Sequence, residues 1–242
     1  MLFDWEDSMT KEVFAQKIAS IVEQFGVQLS ASERLQLLFD LENKLYEQAG
    51  RASVAYDNGV HTKHRHINYH QFFIERIKPQ SKLLDIGCGN GALTFDIAKH
   101  VFEVKIVGID LNSHNIEQAR NNFSHQQIQY ICGDALKDLP QDHFDQIVMS
   151  NVLEHLPERV GFLQKLIELY QPENILIRVP VFERDWRVPL KQELGMDYRL
   201  DQTHFIEYKK GEFEQEMKLA GLEIKEKIIN WGEIWVECVP SN

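Results

Sequence analysis

Cysteine is scarce in this sequence, and the three present, Cys88, Cys132 and Cys238, are odd in number, far apart and free of any CxxC pair. Neither a disulfide framework nor a zinc ribbon is indicated, and a reducing cytoplasm is the expected setting. Long apolar runs are absent too. Nothing approaches the roughly 18 consecutive apolar residues of a membrane span, and the acidic start MLFDWEDSM has neither the basic flank nor the apolar stretch of an export signal. Basic charge is in deficit, with 26 Lys and Arg against 37 Asp and Glu and a net charge of −11. That leaves no general footprint for nucleic acid or an anionic membrane surface. No internal repeat or low-complexity tract interrupts the chain. What remains is 242 residues, 43 % hydrophobic and 26 % charged. This is an ordinary globular composition with a sizeable core, suited to one compact domain with an appendage.

Residues 9–49 carry apolar side chains at three- and four-residue intervals (Val13, Ile18, Ile21, Val22, Phe25, then Leu35, Leu38, Leu41, Leu45), which predicts two amphipathic helices. Ser30 and Glu33 have capping-box spacing at the start of the second, and Gly50 is its expected stop. The His-rich stretch from His61 to Ile77 places Tyr69, Phe73 and Ile77 on one helical face and ends at Pro79. From Lys82 the pattern changes to short apolar runs alternating with amphipathic segments, the signature of a parallel α/β sheet. Strands are expected at 82–86, 105–110, 128–132, 144–150 and 174–179, with helices near 91–100, 113–123 and 157–170. Pro157 suits the first turn of the last of these. An irregular, aromatic-rich insert follows the fifth strand. A helix near 212–220 comes next, then two β-runs, 222–229 and 233–238, whose spacer Asn230-Trp231-Gly232 predicts an antiparallel hairpin.

The sharpest local signal is LLDIGCGNGAL, an apolar strand running into a turn with Gly87, Gly89 and Gly91 and then into a helix. Glycines there let a ligand lie against bare backbone; they also suit a tight strand-to-helix connection or a dinucleotide site. The spacing is G-x-G-x-G, and Asp85 stands at the strand end, where its carboxylate would repel a pyrophosphate. A cationic, phosphate-free ligand fits better. On Leu84-Asp85-Ile86-Gly87-Cys88-Gly89-Asn90-Gly91 the chain resembles the class I S-adenosylmethionine-dependent methyltransferases. The resemblance implies an α/β fold: a Rossmann-like, doubly wound, seven-stranded, mostly parallel sheet with a reversed last strand, plus N-terminal helices. It also implies S-adenosyl-L-methionine as cofactor.

Cofactor-binding roles follow from the same resemblance for Asp85, Gly87, Gly89 and Gly91. Asp110 at the end of the second strand would take both ribose hydroxyls, and Leu111 would floor the adenine. Asp134, with Ala135 in CGDAL, would meet the adenine edge. Asn151, in the SNVLEHL segment after the fourth strand, would run beneath the methionine moiety. Asp110 and Asp134 also read as simple helix caps, and Cys88 reads as a small filler. In the similar ubiquinone-biosynthesis-like O-methyltransferases an Arg before the glycine motif pairs with the coenzyme carboxylate. Arg65, followed by Tyr69, occupies a similar place, and its bidentate fork suits the role. The histidines at 61, 64, 66 and 70 also offer metal-ligating nitrogens, but no Cys or acidic partner sits nearby, which favours a solvated or lid helix.

Two acid/base candidates stand out, His155 after the fourth strand and His204 in Asp201-Gln202-Thr203-His204-Phe205. Structural alternatives are a helix-entry hydrogen bond for the first and a loop clamp for the second. Glu154 either positions one of them or favours a helix N-terminus. No metal is expected, because Glu154, His155 and His204 lack a convincing fourth partner, and chelator should leave turnover unchanged. Phe182, Arg184, Trp186, Arg187 and Tyr198 in the insert include expected substrate-pocket residues. The reading is a cytoplasmic methyltransferase acting on a small molecule at a hydroxyl, with no nucleic-acid or membrane partner and an open oligomeric state. Residues 1–60 form a helical extension or lid, and 61–242 form the methyltransferase domain. A nicotinamide-dependent oxidoreductase and a non-catalytic cofactor-binding protein are the rival readings; Glu154-His155 also resembles the metal-dependent RNA 2′-O-methyltransferases, but the additional upstream Glu of that family is Asn151 here, and the net charge argues against it.

Overall fold

Two helices, α1 (Lys11–Gly26) and α2 (Ala31–Tyr56), precede everything else in a computed structural model that describes residues 9–57 and 61–241. The acidic N-terminal MLFDWEDS and the expected boundary at residue 60 lie outside the described residues. The chain divides into two compact units, Met1–His61 with Leu190–Met196, and Thr62–Pro189 with Asp197–Asn242. In the first unit, Thr10 caps α1 and the capping box of α2 forms as expected: Glu33 N–H donates to Ser30 Oγ, and Ser30 N–H donates to the Glu33 carboxylate at 2.9 Å. Phe39 is buried in this unit, Lys191 lies over its ring, and Gln36 donates to Leu194 O. Gly50 is not the stop. The helix continues through it to Tyr56 because the Ala and Ser residues beyond it propagate a helix, and only a left-handed cap would have ended it there.

The second unit opens with α3 (Lys63–Ile67) and α4 (Tyr69–Ile74) in place of the single His-rich helix expected. Asn68, at φ 53°, breaks it, since Asn tolerates the left-handed region that would strain most side chains. There follow β1 (Lys82–Ile86), α5 (Ala92–His100), β2 (Lys105–Asp110), α6 (Ser113–Asn122), β3 (Ile128–Cys132), β4 (Gln146–Ser150), α7 (Arg159–Tyr170) and β5 (Asn174–Pro180). Pro157 precedes α7 instead of entering it, and Leu156 before it is extended, as the residue preceding a proline prefers to be. The insert carries α8 (Arg187–Glu193), and the chain ends in α9 (Lys210–Leu219), β6 (Leu222–Asn230) and β7 (Glu233–Pro240).

Among the described residues these strands form one seven-stranded sheet of order β3-β2-β1-β4-β5-β7-β6. All pairs from β3 to β5 are parallel, whereas β7 runs antiparallel to both β5 and β6. The reversed strand is therefore the last one, as expected. Trp231 and Gly232, with φ of 52° and 76°, make the two-residue turn of the β6–β7 hairpin. Alternate residues of each strand feed opposite faces. Leu84, Ile86, Ile147 and Met149 pack under α7 and α9, while Leu83, Val148 and Leu176 pack under α4 and α5. Each such fully buried side chain contributes roughly 1.5 to 3 kcal/mol. Register then matters for function: Ile86 pairs with both Ile109 and Met149, Asp110 with Cys132, and Ser150 with Arg178. The chain segments leaving β1 to β5 thus share one carboxyl edge, and the order reverses between β1 and β4, where open α/β sheets bind ligands.

Candidate active site

The glycine turn leaves β1 at this edge. Gly87 and Cys88 N–H both donate to Ile109 O, which pins the turn to the end of β2. A Cβ at Gly87 would lie 2.5 Å from Val152 Cγ2 and one at Gly91 would lie 2.6 Å from Tyr130 Oη, so close packing demands glycine at both. Gly89 differs. A Cβ there would meet nothing within 4 Å, so its bare backbone borders open space. Cys88 is buried against Gly108 and Tyr130 and its thiol pKa is pushed up by burial, which matches the filler reading.

Asp85 is buried, and its Oδ2 accepts from Thr94 Oγ1 at 2.6 Å. Burial, with the nearby Asp110 charge, raises its carboxyl pKa to about 7 against the pull of Thr94. Asp110 is the hub of the turn. Its Oδ2 accepts from Gly89 N at 2.9 Å, and its Oδ1 accepts from Asn112 N at 2.9 Å and Asn115 Nδ2 at 3.3 Å. The cap of α6 is Asn112, not Asp110. Three of the roughly four acceptor sites of the carboxylate are engaged, so taking two ribose hydroxyls requires the long Asn115 contact to give way. Leu111 next to it is 74 % exposed, a large apolar side chain left bare beside the turn. Asp134 caps its own turn by accepting from Leu136 N and pairs with Lys137, which together hold its carboxyl below the usual range. Ala135 packs on the core.

Beyond β4, Asn151 takes a left-handed φ of 57°, and Leu153–His155 form one 3-10 turn. Here the fold joins residues 49 positions apart. His155 Nδ1 lies 2.8 Å from Thr203 Oγ1, His204 Nδ1 lies 2.8 Å from Glu207 Oε1, and the two rings meet edge to face at 4.5 Å. Between them and the core, Glu154 is fully buried, and neither carboxylate oxygen has a hydrogen-bond partner among the described residues. Burial raises its pKa to about 7, offset in part by its own backbone, His204, Arg178 and the Asn151 amide. Desolvation, then the neighbouring His204, lowers the His155 pKa. One ligand-type atom from each of Glu154, His155 and His204 falls within 4.8 Å of the others, so among the described residues these three form a group that could hold a metal.

Sequence reasoning missed Glu207. Buried three residues after His204, it accepts from His204, Leu200 N and Arg184, and these contacts hold its carboxyl below the usual range despite burial. The i, i+3 spacing to a histidine was its only signal. Arg178 was missed too. It lies 3.7 Å above the Tyr69 ring, pairs with Glu233 at 2.5 Å, and touches Ser150 Oγ. Of the insert residues, Arg184 is a structural tie to Glu207 and Tyr198 O, and the Phe182 and Tyr198 rings meet edge to face. Arg65 is exposed, with Nη1 3.4 Å from His66 Nε2. The other histidines of this stretch turn to local partners, His64 to Tyr69 and His70 to Asp96 at 2.5 Å.

Sheet order, reversed last strand and glycine turn together define a class I methyltransferase fold. A family model described as a methyltransferase domain matches residues 77–221, more than half of the chain, and the chain belongs to that family. The ubiquinone biosynthesis O-methyltransferase of Rhodopseudomonas palustris (strain HaA2) is 29 % identical over 119 residues, 48 % of this chain and 46 % of that protein. The chain thus spans about half the length of the curated relatives it matches. Two solved structures share the fold. The Haloferax volcanii complex of the Trm112 methyltransferase activator with a putative methyltransferase matches with TM-score 0.60 and 15 % identity, over 79 % of this chain and 96 % of that one. Magnesium protoporphyrin IX methyltransferase from Synechocystis PCC 6803, with bound SAH, matches with TM-score 0.57 and 14 % identity, over 73 % and 84 %.

S-adenosyl-L-methionine is the coenzyme of this family, and the residues present fit it. The open side of Gly89, the bare Leu111 and the pre-set Asp110 carboxylate make a cradle with acceptors and no phosphate-binding cations. No helix among the described residues is long and apolar enough to cross a membrane.

Proposed function

We propose that the chain transfers a methyl group from S-adenosyl-L-methionine to a hydroxyl of a small-molecule acceptor. The pairing of His155 with His204 beside buried Glu154, at the sheet edge that carries the glycine turn, is the observation that supports it most directly. The Rhodopseudomonas relative is an O-methyltransferase, which points the same way. In this reading Gly87, Gly89 and Gly91 present backbone to the coenzyme, Asp85 faces its cationic end, Asp110 and Leu111 take ribose and adenine, and Asp134 with Ala135 meets the adenine edge. Asn151 underlies the methionine portion and Arg65 meets its carboxylate. The coenzyme supplies an electrophilic methyl on a sulfonium. The protein's share is to hold the acceptor oxygen in line with it, and positioning of that kind supplies several kcal/mol of barrier reduction.

His155, His204 and Glu154 handle the hydroxyl proton. The N-terminal helical unit, which includes Leu190–Met196 from the insert, serves as a lid in this proposal. The test screens metabolite pools with labelled S-adenosylmethionine and identifies labelled products by mass spectrometry. Binding of NADH and not of S-adenosylhomocysteine would sink the reading. With the acceptor in hand, His155→Ala and His204→Ala should each lower turnover by roughly 10² to 10⁴ and leave coenzyme affinity intact. Near-normal rates in both would remove the pair from the chemistry.

A further inference from the structure

The apolar side chains of α1 and α2 do not bury one another. Ile18, Ile21 and Phe25 on α1, and Leu38, Leu41 and Leu45 on α2, stand at the three- and four-residue spacing of helix-on-helix packing. Yet Val13, Ile18, Ile21 and Phe25 of α1 and Leu38, Leu45 and Tyr46 of α2 are each between 40 % and 71 % exposed. Between the two helices lies an open groove of about 670 Å³, walled by Ala19 and Val22 on one side and by Leu38, Leu41, Leu45 and Ala49 on the other. Measured by the ~150 Å³ that houses one benzene ring, it has room for roughly four large apolar side chains. The opposite side of α2 is already engaged. Gln36, Phe39 and Asn43, also three and four residues apart, meet Leu194 O and Lys191. The groove is therefore a second face of the same helix, turned about 160° from the first.

We infer that this face docks a second copy of the chain, the two α1–α2 pairs closing into a four-helix bundle about a two-fold axis. Area supports a copy. The seven exposed side chains leave on the order of 700 Å² bare, above the roughly 300–600 Å² patch of a typical monomer and close to the roughly 800 Å² per partner of a stable interface. In a two-fold contact each copy offers the same patch, so the bare Ile, Phe and Tyr side chains of one fill the groove of the other.

Charge selects the same occupant. Residues 9–56 hold five Lys and Arg against six Asp and Glu, a net charge of −1, whereas the other residues hold 21 against 31, a net charge of −10. Two helical units meet with little repulsion, and the excess negative charge lies outside the contact. Glu23, Glu42 and Arg34 flank the groove, so a two-fold partner brings both signs to both. An amphipathic helix that lies on an anionic membrane carries a basic polar face, which these helices lack. Docking on the groove leaves the contacts of Gln36, Phe39 and Asn43 with the insert untouched.

Sedimentation of the full chain at micromolar concentration should give a mass near twice 28.3 kDa, and the melting temperature should rise with protein concentration. Ile18→Glu and Leu45→Glu alter exposed positions, which the fold of a single chain tolerates. Each should weaken self-association roughly 100-fold or more, because it puts an unpaired charge into the contact. Leu219→Glu, on the exposed side of α9, should leave the mass unchanged. If a Glu variant loses helix by circular dichroism, Ile18→Ala and Leu45→Ala keep helix propensity and carry the test with a loss of roughly 10-fold. A monomeric wild type overturns the proposal. Should that monomer dimerise once residues 1–8 are removed, the chain's own N-terminal segment covers the face; should it bind phosphatidylcholine vesicles, a membrane does. A dimer retained in both Glu variants also overturns it and puts the interface elsewhere. No step of the test uses the coenzyme or the acceptor, so the failure of this inference and that of the methyl-transfer reading are distinct.

Discussion

A methyl group at Gly89 points into open space, whereas one at Gly91 meets Tyr130 Oη at 2.6 Å and Ala119 Cβ at 2.9 Å. Substitution at the two positions therefore separates binding from folding. Gly91→Ala is expected to cost about 2 to 4 kcal/mol of stability through overpacking and left-handed strain, read from urea unfolding. Gly89→Ala should cost only the strain, about 1 to 3 kcal/mol, yet weaken S-adenosylhomocysteine in calorimetry; unchanged affinity would place the coenzyme elsewhere. Asp110→Ala should weaken the coenzyme by about 1.5 to 3 kcal/mol, since the variant loses an ionised acceptor and releases Gly89 N–H. Arg65→Ala should weaken S-adenosylhomocysteine but spare 5′-methylthioadenosine, which has no amino-acid carboxylate. Equal losses for both ligands would remove Arg65 from that contact. Local sequence revealed Asp110 because strand ends and turn glycines are short-range signals. Arg178 was hidden because the fold alone brings Tyr69 and Glu233 to it, and Glu207 because its i, i+3 histidine is a weak signal and its other partner, Arg184, comes near only in the folded chain.

Elements were legible where periodicity and burial agreed. Strands β1, β2 and β3 fall where their apolar runs placed them, and the hairpin forms at Trp231-Gly232, because short apolar runs bounded by turn residues mark the buried strands of such a sheet. Breaks were harder. Gly50 looked like a stop and sits inside α2, while Asn68 looked like helix interior and is the break between α3 and α4. Both residue types permit the left-handed region without requiring it, and neighbours decide. The correction at Gly50 has a measurable consequence. Its φ is not positive, and a Cβ there would have His61 Nε2 at 3.7 Å, ordinary contact, as its nearest neighbour. Gly50→Ala should therefore stabilise α2 by about 0.5 to 1 kcal/mol, visible as slower amide exchange along that helix. A loss of stability would show that the glycine is needed for close approach.

For the molecule as a whole, the buried Asp85 ties stability to pH. Its carboxyl titrates at 3.8 when exposed and at about 7 in the fold, with burial as the main cause. Below that window folded and unfolded chains both hold the proton; within it only the folded chain does; above it neither does. This group's contribution to stability is present at acid pH, declines as pH rises from 3.8 to about 7, and is level beyond. Asp85→Asn, which keeps an oxygen for Thr94, should flatten the fall in melting temperature across that range; a slope equal to the wild type would place the proton uptake on another group. The insert raises a different matter, that of exchangeable parts. Leu200 is held by its backbone N–H to Glu207 and Phe205 by its backbone N–H to Glu154 O, yet their side chains are 55 % and 65 % exposed. Any residue other than proline supplies the same N–H. The face around His204 is therefore open to replacement, residue by residue, without loosening the histidine, and on the proposed function such a scaffold can be retargeted to a new acceptor by a few side-chain changes.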